Sequence, residues 1–75
     1  MKEIEGDYNE YNNQGVKLLE SGKNNSDKLK IESAIQCFKK SIAISELEGV
    51  HNFEIAQNNL RLAIEELNKL SNEII

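Results

Sequence analysis

Seventy-five residues with a net charge of −4 and one cysteine make one domain at most. A chain this short buries only about 60% of its unfolded surface, so little stability is held in reserve. The single Cys37 excludes an intrachain disulfide, one His beside one Cys excludes a zinc site, and the negative balance argues against nucleic acid as the main partner.

The N-terminal stretch MKEIEGDYNE is acidic and lacks an apolar run, so it does not read as a signal peptide. No segment approaches the ~20 apolar residues of a membrane span. A lone free thiol suits a reducing compartment. The expected location is cytoplasmic, the alternative being export by a route that needs no cleavable signal.

Three segments carry helical periodicity, and none alternates like a strand. The first is expected from about Gly6 to Ser21, with Tyr8, Tyr11, Gly15, Leu18 and Gly22 at steps of three and four. Gly22 is expected to end it, because glycine takes the left-handed conformation after a last turn. The stretch GKNNSD, residues 22–27, reads as a turn. Asn25 or Ser26 is the expected cap of the next helix, with Asp27 against its positive end.

The second helix is expected from about Asp27 to Glu48. Ile31, Ile35, Phe38, Ile42 and Ser45 form its stripe, with Ala34 and Ser41 beside it. Gly49 should terminate it, with Val50 folding back over the last turn. The third is expected over 53–74 with Asn52 as N-cap. Its seam is the most regular: Phe53, Ala56, Leu60, Ala63, Leu67, Leu70 and Ile74 repeat at alternating steps of three and four. Short connections make consecutive helices antiparallel neighbours. The expected fold is therefore all-α, an up-down-up three-helix bundle. Charge differs along it: residues 23–40 sum to +3, residues 1–20 to −3 and residues 41–75 to −4. A basic middle helix is expected to lie between two acidic ones.

Backbones of an antiparallel pair approach closely only where side chains are small, and a large ring fills the gap opposite. Gly15, Ala34 and Ser41 are the expected points of approach, with Tyr11, Leu18 and Phe38 as fillers.

The residues Tyr11, Gly15, Gly22, Ala34, Phe38 and Ser41 also resemble a tetratricopeptide repeat, a helical hairpin of about 34 residues. The Gly15-to-Gly22 and Ala34-Phe38-Ser41 spacings match, and Leu18 fits the bulky site between the glycines. Departures are Gln14 in place of a leucine, Glu46 near the place of the helix-ending proline, and seven extra residues, Asn24–Lys30, about the turn. Seven residues are about two helical turns, so such an insert can lengthen the second helix without rotating its buried face. The likeness covers about half the chain. The stretch AQNNLRLAI, residues 56–64, looks like the opening helix of a following repeat and would serve as a capping helix. The rival resemblance is to the microtubule-interacting-and-trafficking (MIT) domain, a three-helix bundle that binds helical peptides.

Chemical motifs are sparse. His51 falls in a turn without a Cys or Ser beside it, and Cys37 flanks the apolar stripe as a small hydrophobe. Glu65 and Glu66 point about 100° apart on a helix and do not share a proton. No glycine-rich phosphate loop or EF-hand spacing occurs. The reading is a non-enzyme without metal or cofactor.

Function should then show as apolar residues that the bundle does not need. Ile55 and Leu62 lie off the third seam on one face, and Val16 and Leu19 lie off the first. On the repeat alignment, Asn9, Asn12, Val16, Leu19 and Glu20 would line an inner groove from the first helix. Ile55, Asn58, Leu62, Glu65 and Glu66 would line it from the third. Asparagine amides both donate and accept, which suits a peptide backbone. Core periphery, a peptide groove and a self-association surface are the three readings of this set. The expected function is a small adaptor or chaperone-like module that binds a peptide or partner helix. The alternative is a structural homo-oligomer, such as a homodimer.

Overall fold

The structure is a computed structural model, and it describes residues 8–49 and 54–73. Gly6, Val50, His51, Asn52, Phe53 and Ile74 lie outside these residues, and with them the expected helix start, the fold-back, the third N-cap and both ends of the third seam. The chain forms three helices, α1 (Tyr8–Asn25), α2 (Lys28–Leu47) and α3 (Glu54–Glu73), with no strand among the described residues. Tyr8 meets Ser41, Gly15 meets Phe38, and Gly22 meets Ile31, so the α1–α2 pair is antiparallel. The fold is the expected all-α three-helix bundle. Helix α2 is its centre: α1 packs against it most extensively, α3 next, and α1 and α3 make only slight contact.

Buried Ile31, Ala34, Ile35 and Phe38 of α2 form the core with Ala63 of α3. Val16, Leu18 and Leu19 of α1 and Leu60, Leu67 and Leu70 of α3 pack against this cluster half-buried. The α3 seam therefore lies where its periodicity placed it. The α2 stripe is wider than expected, since Ile44 is buried as well, while Ile42 is only half-buried. A helix flanked on two sides buries a broader arc than a single row.

Gly22 does not end α1; the helix continues to Asn25. The missing side chain is used for packing instead. A Cβ there would stand 2.6 Å from Ile31 Cγ1 and 3.1 Å from the Asp27 carbonyl. Gly15 works the same way under the Phe38 ring, whose nearest carbon would lie 2.4 Å from an added Cβ. Helix α1 stops at Ser26, which takes the left-handed conformation at φ 52. The Asp27 N–H then donates to Gly22 O at 2.8 Å and the Ser26 N–H to Lys23 O at 3.4 Å. That pair of bonds is a Schellman closure with serine in the usual glycine position.

The cap of α2 is Asp27, neither Asn25 nor Ser26. A cap needs extended backbone, and Asp27 has it (φ −103, ψ 99). Its Oδ1 accepts from the N–H groups of Leu29 at 3.1 Å and Lys30 at 3.3 Å. Asn25 is still helical and donates through Nδ2 to Ser21 O. Residues 24–30 thus run from the end of α1 through a two-residue turn into the start of α2. At the far end Gly49 closes α2 as expected, with φ 72 and its N–H donating to Glu46 O at 3.2 Å.

The basic charge of α2 is met in part by neutral groups on α1. Lys30 Nζ donates to Ser21 Oγ at 3.0 Å, and Lys40 Nζ stands 5.2 Å from the Tyr11 ring centroid. No helix among the described residues is long and apolar enough to cross a membrane.

Candidate functional site

The α1–α3 side of the bundle follows from helix geometry. Residues three, four and seven apart share a face. With Gly15 and Gly22 against α2, the next positions around α1 are Leu19, Asn12 and Val16, and beyond them Asn9 and Glu20. On α3, Ala56 and Ala63 are buried, Asn59 and Glu66 are half-buried beside them, and Ile55 and Leu62 follow in rotation. Asn59 Nδ2 donates to Asn12 Oδ1 at 3.1 Å, which sets these two flanks facing each other.

Ile55 and Leu62 are 60% and 50% exposed, high values for large apolar side chains beside a core. Val16 and Leu19 are half-buried and pack on the core cluster, so part of each belongs to the fold. Asn9 is exposed, as are Glu20 and Glu65. Asn12 already has an amide partner in Asn59. Asn58 is exposed and accepts from Arg61 Nη2 at 3.3 Å. Half-buried Glu66 lies 4.0 Å from Lys69, whose side chain is largely exposed, so the pair is worth little in stability.

Of the seven expected binding residues, three meet in one hollow. Asn9, Asn12 and Ile55 line a cavity of about 200 Å³ with Tyr8, Ser41, Ser45 and Ala56, where the start of α1, the end of α2 and the start of α3 converge. Val16, Leu19, Asn58 and Leu62 lie further along the helices. The two serines are the part that sequence reasoning missed. Ser41 stood out only for being small, yet its Oγ donates to the Tyr8 carbonyl at 2.7 Å. Ser45 Oγ donates to Ser41 O at 2.9 Å, the back-bond of a helical serine. Both are buried, and each hydroxyl keeps lone pairs for a further donor. The signal was the choice of Ser over Ala on a buried stripe. The serines close the floor from within, and the exposed Asn9 amide with an isoleucine on the rim can hold a neutral polar group or a peptide backbone.

On the opposite side, Tyr11 and Gln14 of α1 border a shallow hollow with Cys37 and Lys40 of α2. Cys37 Sγ stands 3.9 Å from Gln14 Oε1. Burial pushes the thiol's pKa up, and the Lys40 ammonium pulls against that. A thiol so placed is less ionised than a free one, hence a weaker nucleophile. No group of three His, Cys, Asp or Glu side chains among the described residues is arranged to hold a metal ion. Further exposed apolar side chains are Leu29 and Leu47, near the two ends of α2, and Ile64 on the other edge of α3.

Comparison with known proteins returned no match, whether against family models, curated proteins or solved structures.

Proposed function

We propose that the chain is a small cytoplasmic interaction module of the tetratricopeptide type. It binds a peptide or partner helix along the α1–α3 flank, without covalent chemistry or a cofactor. The observation that carries this reading is the exposure of Ile55 and Leu62 on one face of α3, beside the amide- and hydroxyl-lined hollow at Asn9 and Asn12. Apolar side chains supply affinity in such a groove, and amides fix the backbone of the ligand. The family likeness rests on Tyr11, Gly15, Gly22, Ala34, Phe38 and Ser41. The MIT type of domain shares the three-helix plan and predicts a helical ligand on the same kind of surface.

Selection of displayed peptides tests this. Peptides enriched on the wild-type chain should be lost on Leu62→Asp, at unchanged helical ellipticity, and kept on Leu29→Asp. Loss of ellipticity in Leu62→Asp places Leu62 in the core and overturns the groove.

A second reading, a structural homo-oligomer, is favoured by Ile64, 41% exposed on the other edge of the same helix. Light scattering after size exclusion separates the two. A tight dimer that covers Ile55 and Leu62 removes the adaptor reading.

A further inference from the structure

We infer that α3 is a separately opening lid over the α1–α2 hairpin, lifting from the apolar face of α2 while the hairpin stays folded. Three observations on different parts of the molecule carry this.

The first is the unequal quality of the two interfaces. Between α1 and α2, two glycines bring backbone against Phe38 and Ile31 with no room for a Cβ. Ser41 is bonded to the Tyr8 carbonyl and Lys30 to Ser21 across the same pair. Among the described residues of α3, the fully inserted side chains are Ala56 and Ala63, while Leu60, Leu67 and Leu70 stay half-exposed. Alanine removes little area from water, and a half-covered leucine about half its full worth.

The second is the missing second flank. Helix α3 rests on α2 and barely touches α1. Asn59 to Asn12 is a single bond between partly exposed amides, worth about 1 kcal/mol or less.

The third is the bracing of the α1–α2 turn. Ser26 and Asp27 are held by the Schellman bonds, the Asp27 cap and the Lys30–Ser21 bond, which tie α1 to α2.

Regions with few buried apolar contacts open below the global unfolding free energy, as contiguous units. A detached helix of this length is marginal in water, so α3 loses its helix when it lifts. The open form keeps α1 on α2 and presents the face that α3 had covered.

The chain carries its own reporters. There is no tryptophan, and Tyr8 lines the hollow beside Ile55 and Ala56 of α3, so Tyr8→Phe leaves Tyr11, which faces Lys40 of α2, as the fluorescent reporter of the hairpin, whereas far-ultraviolet ellipticity reports all three helices. In a urea titration of the full chain, ellipticity should fall first, by about a third of its amplitude (20 of 58 helical residues). Tyr11 emission in Tyr8→Phe should change only in a later step. Asn59→Ala should move the first step to lower urea and leave the second in place. Amides of α3 should exchange with solvent about tenfold faster than the slowest amides of α1 and α2. Coincident transitions, one common exchange protection over all three helices, or an equal shift of both steps by Asn59→Ala would each overturn the inference.

Discussion

The α1–α2 contact and the α3 contact invert what their sequence patterns suggest. Helix α3 has the most regular seam in the chain, and among the described residues it is held by two alanines and three half-covered leucines. Helix α1 has a poorer pattern, broken by Gly15 and Gly22, and at both glycines its backbone lies against Phe38 or Ile31 with no room for a Cβ. Periodicity counts which positions are apolar. It does not measure how near two backbones come, and nearness sets how many atoms meet. A glycine adds nothing to an apolar pattern and lets a whole ring lie against the main chain.

The sharpest break in this comparison comes from truncating one residue on each side. Phe38→Ala should cost about 3–5 kcal/mol, because it empties the fully buried site over Gly15. That approaches the whole stability of a domain this small, roughly 4–11 kcal/mol. Leu67→Ala on the half-covered seam should cost only about 1–2 kcal/mol. Chemical denaturation of both variants measures the gap, and equal losses would erase the distinction between the interfaces.

A smaller effect separates the two roles of glycine. Gly22→Ala has ordinary helical backbone and should still cost about 1–3 kcal/mol, since Ile31 and the Asp27 carbonyl leave no space. Gly49→Ala should cost about 1–2 kcal/mol for the opposite reason, a left-handed φ of 72 with open space around it. A second change tells them apart. Ile31→Ala, which removes the Cγ1 that the new Cβ would meet, should make Gly22→Ala cost less in its background and leave the cost of Gly49→Ala untouched.

Next in size is the turn. Asp27→Ala removes an acceptor for two N–H groups and should lower stability by about 1 kcal/mol, read as a shift in the denaturation midpoint. The smallest effect concerns Cys37. Its raised pKa implies alkylation slower in the folded chain than in urea at the same mildly alkaline pH. The sign follows from linkage: the unfolded thiol ionises at lower pH than the folded one. The thiol's contribution to stability is therefore full below the unfolded value and lost as pH rises through the folded value. Equal alkylation rates in the two states would remove burial as the cause.

Much of the candidate surface was legible before any coordinates. Ile55 and Leu62 lie off an otherwise regular seam, and displacement from a seam is visible as spacing alone. Asn9 and Asn12 were placed there by the resemblance to the repeat and not by spacing. The polar floor was not legible as such: Ser41 and Ser45 read as small residues, and only the position of the Tyr8 carbonyl gives the Ser41 hydroxyl its role. Nor could the pattern reveal that Val16 and Leu19 divide their surface between core and solvent, which depends on how closely α3 approaches α1.

The order of small, apolar and polar residues by itself determined three helices, the inward face of each and the closing of α2 at Gly49. These rest on local geometry, a 3.6-residue period and a backbone conformation that favours glycine. Only the tertiary structure decided that Gly22 is a place of contact and not a helix end, that Asp27 caps α2, and that α3 leans on one neighbour. A missing Cβ permits either a turn or a close approach, and the chain folded against it, here Ile31, selects between them.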